Sequence, residues 1–233
     1  MNVFAIGDLH LSHTSNKPMD VFGEHWTNHM EKIKINWEQK ITEEDIVLIP
    51  GDISWAMRLN EAEIDLRWLD QLPGQKICIR GNHDYWWDRP GQLNRKYPRT
   101  YFLQNTVYKL GTIGICGARG WRLGEALDEM AKAEDERLVA RECTRLKLSL
   151  DAAIKQGVEE IWVMLHYPPC TMEYEVSPFR ALIKQYPVTK LIYGHLHGNA
   201  AWDGAIIGEQ DGVDYQLVSA DYLDFKPLCL TNE

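Results

Sequence analysis

The sequence lacks the marks of several protein classes. Its five cysteines, Cys78, Cys116, Cys143, Cys170 and Cys229, are odd in number, widely spaced and without a C-x-x-C pair, which argues against a disulfide framework or a structural zinc site. They read as reduced thiols, mostly in the core. Internal repeats, low-complexity tracts and long Gly/Pro/Ser linkers are also missing, so residues 1–233 are expected to form a single domain. The opening apolar stretch Val3 to Gly7 is too short for a signal h-region or a membrane span, which predicts a cytoplasmic protein with no membrane partner. Basic charge is in short supply too. With 25 Lys and Arg against 34 Asp and Glu the net charge is −9, which opposes diffuse binding to a polyanion, so nucleic acid is a disfavoured partner.

What is present is the composition of an ordinary globule, 45% hydrophobic and 25% charged. Strand-like apolar runs occupy Asn2 to Gly7, Ile46 to Pro50, Lys76 to Arg80, Ile161 to Leu165 and Lys190 to Tyr193. Between them, Phe22, Trp26, Met30, Ile33, Trp37 and Ile41 recur at helical spacing. A second helix is expected from Glu61 to Leu72, with Asn60 as N-cap and Glu63 completing a capping box. A third runs from about Glu134 to Gln156, burying Val139, Cys143, Leu146, Leu150 and Ile154 and ending at Gly157. Residues 107–110 and 113–116 read as a hairpin through Gly111-Thr112. Alternating strands and helices with one hairpin predict an α/β domain containing mixed sheets, whose ligands would sit beyond the carboxyl ends of strands.

Five short motifs follow apolar runs in order: Asp8-Leu9-His10, Gly51-Asp52, Gly81-Asn82-His83-Asp84, His166 and Gly194-His195-Leu196-His197. Taken alone, Gly-Asp is a turn and a single His at the end of a strand is a core residue. Together they bring oxygen and imidazole donors to successive strand ends, as a site for two divalent cations requires. One carboxylate, Asp52, could bridge both ions. Such a pair suits hydrolysis at phosphorus, where two cations clamp the attacking and departing oxygens.

The set resembles the calcineurin-like metallophosphoesterase superfamily, whose motifs run D-x-H, G-D, G-N-H-[DE], H and G-H-x-H. All five are present between residues 8 and 197, and the wording around them is similar to a small bacterial phosphohydrolase subgroup. The resemblance implies an αββα sandwich, with two mixed sheets packed face to face and flanked by helices. It also implies that Asp8, His10, Asp52 and His197 hold one metal while Asp52, Asn82, His166 and His195 hold the other. The mixed oxygen and nitrogen set suits Mn²⁺, Fe²⁺ or Zn²⁺ better than Ca²⁺. His83 would then act on the substrate, stabilising phosphoryl oxygens or protonating the leaving oxygen during in-line attack by a hydroxide between ions roughly 3.5 to 4 Å apart.

One stretch departs from the protein phosphatases of this superfamily, which carry G-D-x-x-D-R-G with a second Asp that orients the catalytic His. Here Trp55 stands at that position, and the partner of His83 is open. The lipid-A pathway pyrophosphohydrolases generally have Arg where this chain has His83. Arg58, Arg119, Trp121 and His13 are candidate substrate contacts, and residues 122–133 a candidate flap. His25 and His29 suit an amphipathic helix better than a metal site. The expected substrate is a phosphorylated small molecule or nucleotide, as a mono- or diester. The competing accounts are a nuclease of the same superfamily and a non-catalytic metal-bound scaffold.

Overall fold

The computed structural model describes residues 1–15, 17–124, 128–170 and 177–231. The chain divides into two compact units, Met1–Phe102 with Val218–Glu233, and Leu103–Leu217. Each contains one mixed sheet with its own hydrophobic core.

Unit 1 runs through β1 (Val3–Ala5), α1 (His29–Lys40), β2 (Ile46–Ile49), α2 (Leu59–Gln71), β3 (Gln75–Cys78), α3 (Pro90–Lys96) and β4 (Thr100–Phe102). These strands pair in parallel, in chain order, and the short return strand Leu228–Cys229 adds an antiparallel edge beside β1. Every residue of β1 and β2 is buried, which explains why they read as unbroken apolar runs and not as alternation. Ile33 and Trp37 of α1 and Ala62, Leu66 and Leu69 of α2 complete this core.

Two helix boundaries differ from the sequence expectation. The stripe beginning at Phe22 is not one helix: two 3₁₀ turns, Met19–Phe22 and Glu24–Trp26, precede α1. Gly23 at φ 131° and Asn28 at φ 57° interrupt the helical path, and Phe22 is exposed. Helix α2 starts two residues early, with Arg58 and not Asn60 at the N-cap. Glu61, in place of Glu63, folds back to accept the backbone N–H of Arg58 at 3.2 Å. Glu63 pairs instead with Arg67 and Lys96.

Lys76 closes the other end of α2. Its buried ammonium donates to the carbonyls of Asp70, Leu72 and Gly74 at 3.1, 2.6 and 2.8 Å, placing a cation on groups the helix leaves without partners.

Unit 2 contains β5 (Tyr108–Leu110), β6 (Ile113–Ala118), α4 (Glu129–Lys155), β7 (Glu160–Leu165), α5 (Pro178–Ile183), β8 (Val188–Tyr193), α6 (Asn199–Trp202), β9 (Gly208–Gln210) and β10 (Val213–Leu217). The four strands β6, β7, β8 and β10 are parallel, flanked by antiparallel β5 and β9, so the expected hairpin is present. Helix α4 buries Leu138, Leu146, Leu150 and Ala153, while Val139 and Cys143 are half-buried. Ile154, expected inside, is 48% exposed, because the buried stripe passes through Ala153. Gly157, at φ 66°, ends the helix as expected. Residues 125–127 of the anticipated flap lie outside the described residues, and α4 takes up its later part from Glu129. No helix among the described residues is long and apolar enough to cross a membrane.

Burial pulls the pKa of Lys76 down to about 8. Between that value and the unfolded value of about 10.5, the unfolded chain holds a proton that the folded chain has released, so this group's contribution to stability rises with pH. Lys76→Met is expected to lower the unfolding free energy by about 2 to 3 kcal/mol near neutral pH through three stranded carbonyls. Its deficit against wild type should widen between pH 8 and 10. Urea unfolding of both proteins across that range checks this, and a deficit that narrows would refute the assignment.

Candidate metal centre

Parallel pairing continues irregularly beyond β1 and β2. The backbone N–H groups of Asp8, His10 and Leu11 donate to the carbonyls of Gly51, Asp52 and Ile53 at 3.0, 3.0 and 2.9 Å, and Trp55 N–H returns to Leu11 O at 2.9 Å. Within this zipped pair of loops the chain is not extended. Asp8 (φ 54°), His10 (φ 45°) and Asp52 (φ 52°) all occupy the left-handed region. Residues other than glycine seldom hold that conformation without support from their surroundings, and it concentrates at functional sites.

The consequence is a tight group of donors. A ligand atom of Asp8 lies within 4.8 Å of one on His10 and one on Asp52, and His10 Nε2 is 3.8 Å from Asp52 Oδ2. All three residues are at most 2% exposed. Two buried carboxylates this close repel one another, and a cation between them removes the conflict; the donor set therefore fits a divalent metal. Gly81 helps to shape the group, since a Cβ there would collide with the Asp52 carboxylate and backbone.

The third motif follows β3, placing Asn82 and His83 in the turn that leaves the sheet. The backbone N–H of His83 donates to Asp52 Oδ1 at 2.8 Å, and the His83 ring centroid lies 5.8 Å from that of His10. Asp84 turns away from these groups into the core. Its carboxylate accepts from the backbone N–H groups of Ile53, Ser54 and Gly81 and from Trp86 Nε1 at 2.8 to 3.2 Å, tying the second motif loop to the third. Burial, followed by the charge of Asp52, pushes its pKa up to about 7.

A second buried carboxylate, Asp65 on α2, ties the first loop to the second. It accepts from His13 N and His13 Nδ1 at 3.1 and 2.6 Å and from the Ser54 hydroxyl. His29 adds a further support, its Nε2 lying 3.2 Å from the carbonyl of His10, and burial lowers its pKa. Sequence reasoning missed Asp65. The available signal was a carboxylate on the apolar stripe Ala62, Leu66 and Leu69.

In unit 2 the candidate ligands again follow parallel strands. His166 follows β7, and His195 and His197 follow β8. His195 is left-handed at φ 73°. Its Nδ1 lies 3.2 Å from His166 Nε2, close to the roughly 3 Å spacing expected of two imidazoles with metal bonds of about 2.0 to 2.1 Å. Tyr167 packs on His195 with ring centroids 4.2 Å apart. A cavity of about 340 Å³ is lined by Arg122, Tyr167, Pro168, His195, Leu196 and His197, among others. Tyr167 was not singled out from the sequence, although it adjoins His166, and Arg122 was read only as the start of the candidate flap.

The four candidate substrate contacts have varied settings. Arg58 is exposed at the start of α2, and His13 is fastened to Asp65. Arg119 pairs with buried Glu142 at 3.6 Å and lies over the Trp121 ring, while Trp121 Nε1 donates to Asp135 at 2.8 Å.

Because Asp65 joins two loops from a fully buried position, Asp65→Ala is expected to cost about 2 to 4 kcal/mol, and Asp65→Asn less. Thermal and urea unfolding measure both; a loss under about 0.5 kcal/mol for the alanine variant would show that the tie contributes little.

Among curated proteins, the chain is 36% identical over 100 residues to the Gene 66 protein of Mycobacterium phage D29, covering 42% of this chain and 46% of the relative. To the Gene 66 protein of Mycobacterium phage L5 it is 29% identical over 94 residues, covering 40% and 43%. The chain thus spans under half the length of these relatives. Solved structures of similar fold include a protein of unknown function from Aquifex aeolicus, with TM-score 0.54, 18% identity and coverage of 98% of this chain and 95% of that one. Another is the phosphopantetheinyl hydrolase of Mycobacterium tuberculosis, with TM-score 0.53, 15% identity and coverage of 100% and 96%. The family model for calcineurin-like phosphoesterases matches residues 1–199, the stretch that carries all five motifs, and the chain therefore belongs to that family.

Proposed function

We propose that the protein is a dimetal-dependent phosphohydrolase that cleaves a phosphate mono- or diester of a small molecule or nucleotide, with residues 1–233 acting as one catalytic domain in the cytoplasm. The observation that carries this reading is the buried set of Asp8, His10 and Asp52, all three on left-handed backbone, with Asp8 offering a ligand atom within 4.8 Å of one on His10 and within 4.8 Å of one on Asp52.

Asp8, His10, Asp52 and His197 would hold one ion, and Asp52, Asn82, His166 and His195 the other. Mn²⁺, Fe²⁺ and Zn²⁺ suit these donors. When bound, the pair supplies Lewis-acid polarisation of the ester and a water of lowered pKa. The chain's own work is orientation. Asp52 is held by the backbone N–H of His83, so the central carboxylate and the candidate acid move as one piece. The His83 imidazole would donate a proton to the leaving oxygen or a hydrogen bond to a phosphoryl oxygen. Leu196 and Pro168 give the cavity beside His195 and His197 apolar walls, and Arg122 gives it a cation, which suits an organic ester group bearing negative charge.

Hydrolysis of matched aryl phosphomonoester and phosphodiester probes by metal-stripped protein resupplied with Mn²⁺ tests the reading, with a phosphopantetheinyl ester included because a structural neighbour bears that name. Asp52→Asn is expected to lose metal and activity together. His83→Ala should lower kcat by about 10²-fold or more with metal content nearly unchanged. Absence of bound metal in the wild type would sink the reading. Full occupancy without turnover on any probe would favour the scaffold account.

A further inference from the structure

The aromatic residue at the place where related phosphatases carry an acid lies against the imidazoles of His10 and His83. The Trp55 ring stacks on His10, with centroids 4.7 Å apart and planes 20° from parallel. It also meets the His83 ring at 4.2 Å and 52°. The two imidazoles are edge to face at 5.8 Å, so the three rings form a closed cluster. Trp55 is itself anchored at both ends. Its backbone N–H donates to Leu11 O at 2.9 Å, and its indole N–H lies 3.2 Å from Met19 Sδ.

We infer that Trp55 is the positioning residue for His83, setting the angle of that imidazole by ring packing while its stack on His10 keeps the same imidazole in register with a candidate metal ligand. The inference rests on the phosphohydrolase reading for its catalytic part alone. Three observations separate it from ordinary core packing. Trp55 is only partly buried, so it is not filling the centre of the core. Its contacts bridge the first and third motifs, which leave different strands. The same indole also carries the Lys17 ammonium 4.6 Å from its centroid, and its face is therefore available to cations. Offset and tilted aromatic contacts fix ring orientation because the quadrupoles favour a narrow set of angles. A catalytic proton donor gains from this, since small errors in placement cost large factors in rate.

The test compares Trp55→Leu with Trp55→Phe. In metal-free protein with ¹³C-labelled histidine, the ring protons of His10 and His83, assigned with His10→Gln and His83→Gln, are expected to lie upfield through the ring current of Trp55. The displacement should vanish in Trp55→Leu and persist in Trp55→Phe. With Mn²⁺ saturating, kcat on the best aryl probe should fall about 10-fold to 100-fold in Trp55→Leu with KM little changed, and recover largely in Trp55→Phe. Ring protons unmoved by Trp55→Leu would overturn the inference, as would a kcat unchanged by Trp55→Leu where the wild-type protein turns over. If the wild type binds metal and hydrolyses nothing, the phosphohydrolase reading fails by itself, and the ring protons still decide whether Trp55 holds the two imidazoles.

Discussion

The candidate centre in unit 1 depends on a carboxylate placed to serve the chain. Asp84 gathers three backbone N–H groups and one indole N–H from residues on either side of Asp52 and His83, so the loops after β2 and β3 cannot move apart without stranding a buried charge. Burial, followed by the charge of Asp52, opposes its ionised form, and three backbone N–H groups favour it. A cation bound at Asp52 would remove the second of those oppositions. The same logic recurs one loop away, where Asp65 joins His13 to Ser54. The candidate ligands are thus placed by side chains whose own hydrogen bonds go to the protein itself.

This arrangement also accounts for the backbone strain. Asp8, His10 and Asp52 take left-handed conformations, each costing of order 1 kcal/mol or more in an unsupported chain. The hydrogen bonds from loop to loop and the two buried carboxylates over-determine these segments, and the strands behind them are buried on every residue. Strain at the ends of β1 and β2 is held in place by those hydrogen bonds and by the buried strands behind them.

These features differ in how far the sequence revealed them. The strands preceding each motif were visible because parallel, doubly buried strands leave continuous apolar runs, and the hairpin at Gly111 because its turn chemistry is local. The start of α1 was not visible, since Trp26, Met30 and Ile33 keep helical spacing across a break made by two left-handed or irregular positions, Gly23 and Asn28. The cap of α2 was misplaced by two residues because both Glu61 and Glu63 can fold back, and only the path of the chain into the helix chooses between them. Trp55 was legible as a departure from a motif but not as a partner of His83, because ring contact between residues 28 apart depends on how two loops meet. The candidate ligands could be named at once; the residues that hold them could not, because buried carboxylates such as Asp65 look like surface residues until the helix face is known.

The distribution of charge bears on how so acidic a chain would receive a phosphate ester. Of the seven proposed ligands, only Asp8 and Asp52 carry negative charge; Asn82 and the four histidines are neutral donors. Two divalent ions held by that set would leave a net positive charge at the centre while the chain as a whole stands at −9. The field that matters to a small anion at close range is the local one, and the burial of Asp8 and Asp52 strengthens it by excluding water. The same imbalance favours a compact phosphate over an extended polyanion. The net charge of −9 opposes a long polyanion, whereas a small ester would respond mainly to the local charge of bound ions.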